Sequence, residues 1–110
     1  MAPFPKQNYI FISFFERSDF MNYIYPAIFY PEIDEKYSVI FPDLNNLATY
    51  GDNLADAFVM AREACGQYLF TSLRDGDVLP VPTAINAMKS DDPTALINLI
   101  CVNSVNHFCF

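Results

Sequence analysis

"NLADAFVMAREACGQYLFTSLRDG", residues 53–76, decides the fold. From Leu54, apolar side chains recur at 54, 57, 58, 61, 64, 65, 68, 69 and 73. That is the i, i+3, i+4, i+7 rhythm of one helix face. Asp56, Arg62, Glu63, Gln67 and Arg74 fall off the stripe. Asn53 is the expected N-cap, because its amide oxygen can accept an orphan helix N–H. Asp56, three residues on, is its expected capping-box partner, and Asp52 and Asp56 set negative charge against the positive end of the helix dipole. At the other end Gly76 can take the left-handed conformation that stops a helix. About twenty residues at 1.5 Å each make a rod of roughly 30 Å, long enough to cross a small sheet.

Outward from the helix, the chain reads as strands. "NYIYPAIFY" (22–30) is aromatic and β-branched, hence a strand, and Pro26 inside it, lacking an N–H, favours an edge position or a bulge. "PEIDEK" (31–36) is an acidic turn. "KYSVIFP" (36–42) is a second strand with Tyr37, Val39 and Phe41 on one face and Ser38 and Ile40 on the other, which makes the pair a hairpin. "LATYG" (47–51) is a short third strand. In the corner between strand and helix, Asp43, Asn46, Gly51, Asp52, Asn53 and Asp56 stop a strand, turn the chain and cap the helix, so this polar cluster is read as structural. Beyond the helix, "DVLPVPT" (77–83) is extended by its prolines, "TAINAMK" (83–89) is a short helix capped by Thr83, "DDPT" (91–94) is a turn, and "ALINLICVN" (95–103) is a final strand. The expected class is α+β, a small sheet with the long helix across one face.

Composition narrows the function. The chain has 110 residues, one domain's worth, with six basic and thirteen acidic side chains and a net charge of −7. Lys6 and Arg17 cancel Glu16 and Asp19, so the whole excess lies in residues 21–110. Without the basic stripe that neutralises phosphates, direct nucleic-acid binding is not expected. An acidic surface suits a basic protein partner. The run Tyr9–Phe15 is too short to span a bilayer and has no signal-peptide cleavage pattern, so no membrane role is expected. Residues 1–20 read as an N-terminal extension, 21–103 as the domain and 104–110 as a short tail. Cys65, Cys101 and Cys109 follow no zinc spacing, and reduced thiols in a cytoplasmic protein are the simplest account.

Few residues offer chemistry. Glycine occurs only at 51, 66 and 76, too sparsely for a phosphate loop, and the one histidine, His107, sits on the tail. The enzymatic alternative is Asp43, Asp52 and Asp56 folding together to hold Mg²⁺ for phosphodiester cleavage. Against it, Asp52 and Asp56 already serve the helix start, and no basic residues stand near to hold a polyanion. No cofactor is expected. The aromatic series Tyr23, Tyr25, Phe29, Tyr30, Tyr37 and Phe41 lacks interleaved Lys or Arg, so core packing and a protein interface fit it better than base stacking.

The motifs in order, Tyr25-Pro26-Ala27, the Tyr37–Leu44 strand, Thr49 to Asp52, Leu54 to Ala57, and the prolines at 80 and 82, resemble HicB, the antitoxin of HicA–HicB toxin–antitoxin pairs. The resemblance covers residues 21 to about 103. It implies a partial ribonuclease-H-like fold, a three-stranded antiparallel meander followed by the long helix and a further strand beside the meander. It also implies a partner, a small basic HicA-like toxin that cleaves mRNA using a His and is silenced when the antitoxin covers that His; a homo-oligomer is expected separately, because a chain this short buries only a modest fraction of its surface. Two departures stand out. Asn45-Asn46 replaces the family's usual Pro-Gly, and asparagine tolerates the left-handed turn better than other non-glycine residues. Family members often continue into an operator-binding ribbon-helix-helix or helix-turn-helix segment, which "SVNHFCF" (104–110) has no room for, so DNA binding is not carried over, and a truncated relic without a partner stands as a further alternative. On charge and exposure, the expected partner contacts are Tyr30, Glu32, Asp34, Glu35 and Tyr37.

Overall fold

The computed structural model describes residues 22–103. The expectations for residues 1–20 and for the tail 104–110, with His107 and Cys109, lie outside the described residues. Four antiparallel strands, β1 (Asn22–Pro31), β2 (Tyr37–Phe41), β3 (Leu47–Gly51) and β4 (Leu96–Asn103), form one sheet in the order β3-β2-β1-β4. The single long helix among them, α1 (Leu54–Arg74), packs across one face. This is the expected α+β arrangement, a meander with a further strand beside its first member.

The face under α1 is built by strand alternation. Tyr25, Ala27 and Phe29 of β1, Val39 and Phe41 of β2, and Ile100 and Val102 of β4 are buried against Ala57, Ala61, Cys65 and Leu69 of α1. Small side chains at three of those four helix positions let the rod sit close to the sheet. Larger rings flank the seam: Phe58 lies 4.6 Å from Phe29 between centroids, and Phe70 meets Tyr23 edge-on at 6.0 Å. Burying a side chain the size of Phe41 or Leu69 contributes roughly 2 kcal/mol. The seam drifts along the helix. Gly66 and Phe70 join it late, whereas Leu73, on the predicted stripe, is 40% exposed.

Both helix ends are closed. Asn53 Oδ1 accepts from the Asp56 N–H at 2.8 Å, and Asp56 Oδ2 accepts from the Asp52 N–H at 2.9 Å. The reciprocal bond therefore reaches one residue before the cap rather than the cap itself. At the C-terminus Gly76 (φ +80°) donates to Leu73 O and Asp77 to Ser72 O, the paired bonds of a Schellman motif. Asn45 and Asn46 are both left-handed (φ 60° and 57°) in the turn that leads into β3.

Three expectations fail. Pro26 is not on an edge strand, since β1 lies inside the sheet and Pro26 pairs with Leu99 of β4. It is tolerated because the β2 ladder begins only at Ile28, leaving Pro26 in a stretch paired on one side. The short helix over 83–89 shrinks to one 3₁₀ turn (Ile85–Ala87) with no side-chain cap, because Thr83 turns instead to a distant carboxylate. Finally, Cys65 is a free thiol whose burial pushes its pKa up to about 12, but Cys101 is disulfide-bonded, against the expectation of reduced thiols.

Candidate functional site: an acidic end of the sheet

The β1–β2 connection is a strained, exposed tip. The Glu32 N–H donates to Lys36 O at 2.7 Å and the Lys36 N–H to Ile33 O at 3.3 Å, closing a loop so tight that Asp34 and Glu35 take positive φ (59° and 64°). For residues other than glycine that backbone costs roughly 1 kcal/mol each. Glu32 is held by the Ser38 hydroxyl, which donates to its Oε2 at 2.9 Å. Lys36 reaches Asp52 Oδ1 at 3.3 Å, tying the tip to the start of α1. Register explains the neighbourhood: Tyr37 pairs with Gly51, so the hairpin tip and the helix N-terminus share one end of the sheet. Glu32, Asp34, Glu35, Asp52 and Asp56 gather there with Lys36 as the basic side chain among them.

Of the five expected contact residues, the structure brings Glu32, Asp34 and Glu35 together, all exposed. Tyr30 and Tyr37 are half-buried and face opposite sides of the sheet, as the pairings Tyr30↔Ser38 and Pro31↔Tyr37 require. Tyr37 packs on the core, while the Tyr30 hydroxyl accepts a long bond from Ser90 Oγ at 3.4 Å. Ile33, 81% exposed between the acids, is the residue sequence reasoning passed over. Its signal was an isoleucine inside an otherwise polar turn.

The corner residues are spread over both ends of the sheet. Asp43 follows the far end of β2, where it accepts from the Thr83 N–H and hydroxyl, each at 2.7 Å. Asp52 and Asp56 lie beyond the other end, about 13 Å of strand away. The three carboxylates of the enzymatic alternative therefore do not converge, and no metal-binding group of three or more His, Cys, Asp or Glu occurs among the described residues. Asn46 turns the chain, and Gly51 has a separate duty. A Cβ there would lie 2.3 Å from Ala57 N, so only glycine lets the end of β3 touch the first turn of α1.

Comparison with known proteins fixes the family. Residues 25–104 match the family described as HicB_like antitoxin of bacterial toxin-antitoxin system. No curated protein matches. Among solved structures, a chain of a toxin–antitoxin complex from Streptococcus pneumoniae superposes with a TM-score of 0.66 at 26% identity, over 74% of this chain and 69% of that one. The N-terminal domain of Burkholderia pseudomallei antitoxin HicB gives 0.61 at 22% identity over 71% and 95%. A chain of a HicA3 and HicB3 toxin–antitoxin complex gives 0.55 at 23% over 70% and 94%. No helix among the described residues is long and apolar enough to cross a membrane. With the matched segment running from Tyr25, the fourth residue of β1, through β4, the chain belongs to the HicB-like antitoxins of bacterial toxin–antitoxin systems.

Proposed function

We propose that this chain neutralises a small basic, mRNA-cleaving toxin of the HicA type by binding over its active site, in the cytoplasm and as a homo-oligomer. The observation that carries the reading is the acidic end of the sheet. Glu32, Asp34 and Glu35 sit on a tip whose backbone is fixed by two short-range hydrogen bonds, on the side of the molecule where Asp52 and Asp56 add their charge. Such a field draws a basic protein in from a distance and repels polyanions, so the acidic end is a protein-docking surface rather than an RNA-binding one. The domain responsible is residues 21–103, and Tyr30 and Tyr37 support the tip from opposite faces of the hairpin.

Co-expression with a cognate toxin of the HicA type tests the reading: growth arrest caused by that toxin is relieved, and the two proteins co-purify. Persistent arrest despite soluble protein rejects it. With the pair in hand, the triple change Glu32→Gln, Asp34→Asn, Glu35→Gln slows association by about 10-fold at low salt, and the difference fades near 0.5 M salt as charges are screened. An unchanged on-rate at low salt removes the tip from the interface. The non-converging carboxylates give the nuclease alternative no geometric support.

A further inference from the structure

At the opposite end of the molecule, an open groove of about 440 Å³ runs between β3 and the second half of α1. Leu47, Ala64 and Tyr68 contribute apolar surface, Thr71 a hydroxyl, and Asp75 and Asp77 two carboxylates at its mouth. Those carboxylates stand where a helix disfavours them, beside the negative end of the α1 dipole. The cation near them, Arg74, makes only a 3.8 Å contact to Asp75, both side chains being mostly in water. Such a site attracts an external cation more than the chain's own.

The segment leaving the groove is as telling. Residues 77–83 form an extended strap pinned along its length: the Asp77 N–H is bonded to Ser72 O, Leu79 packs on the core, Tyr25 donates to Pro80 O at 2.5 Å, and Thr83 is held by Asp43. Between these anchors Val78 is 94% and Val81 86% exposed. Two apolar side chains on a rigid strap meet a partner without the entropy cost of ordering a loop.

We infer that the groove and strap are a second docking surface for the same basic partner, seating one of its Lys or Arg side chains between Asp75 and Asp77 while apolar side chains beside it cover Val78 and Val81. The inference rests on the antitoxin reading, and it names a contact at the end of the molecule away from the acidic tip. Charge complementarity selects this occupant. A second copy of this acidic chain would bring carboxylate to carboxylate at the mouth of the groove.

The test uses the full chain and, as probe, a small basic toxin of the HicA type inactivated by a His→Ala change in its active site. Hydrogen exchange on the wild-type complex is expected to show new protection at residues 64–72 and 78–83. Asp75→Asn/Asp77→Asn and Val78→Ser/Val81→Ser, all at exposed positions, are each expected to raise Kd at least about 10-fold, the valine pair through faster dissociation. Protection confined to the hairpin tip, or wild-type Kd in both double variants, overturns the inference and leaves the antitoxin reading standing. Failure of the wild-type chain to bind the probe overturns both.

Discussion

At the scale of single residues, backbone geometry makes the firmest demands. Gly51→Ala drives a methyl group into the backbone of Ala57, where no side chain can rotate away. Chemical denaturation should show a loss of at least about 2 kcal/mol. Asn46 makes a contrasting case, since its left-handed backbone needs tolerance rather than space. Asn46→Gly should stay within about 0.5 kcal/mol of the native chain, while Asn46→Val should lose roughly 1–2 kcal/mol. Cys65 is fully buried, and burial holds its thiol neutral up to a pKa of about 12. Iodoacetamide at pH 8 should spare it in the native protein and modify it once denaturant unfolds the chain. The unfolded thiol ionises near 8.5–9 and the folded one does not. Stability from this group is therefore complete below about pH 8.5 and lost as pH rises toward 12, by about 1.4 kcal/mol per pH unit at most. The turn asparagines were legible in the sequence because asparagine is a known occupant of left-handed turns. The positive φ of Glu35 was not, since glutamate is no habitual occupant of that region and only the closure of the hairpin imposes it there.

Among elements, legibility followed the range of the forces involved. The helix could be read from end to end, since its stripe, cap and terminating glycine are all local signals. Thr83 shows where local reading stops. The residue is a good cap in isolation, but an aspartate forty positions away takes both its N–H and its hydroxyl. Pro26 shows the same limit. The rule that excludes proline from interior strands treats a strand as paired along its whole length, and β1 is paired with β2 over only its second half. The Asp43–Thr83 contact carries a prediction of its own. Asp43→Ala should cost about 1–3 kcal/mol. It should also accelerate amide exchange in residues 78–90 while leaving the β1–β2 hairpin protected. Equal acceleration throughout the sheet would mean that Asp43 acts on the core and not on the strap. The candidate site was legible as composition, three acids in one turn, but its extension to Asp52 and Asp56 depends on the pairing of Tyr37 with Gly51, a register no single stretch of sequence displays.

For the molecule as a whole, the sheet closes late in the chain. β4 supplies Ile100 and Val102 to the core and is the neighbour of β1 over eight paired positions, from Phe29↔Leu96 to Asn22↔Asn103. A chain ending at residue 95 keeps the meander and α1 but leaves that edge of β1 bare over Asn22–Phe29. It should show no cooperative unfolding transition by circular dichroism, where the 110-residue chain shows one. The pairing of the first described strand with the last also bears on timing. A ribosome releases β1 before β4, so the core stays open on one side until β4 itself has been made. Under the proposed function, protection against a toxin then begins only when translation has run to β4, and a message cut before that point should yield a fragment fit for proteolysis rather than a weaker antidote.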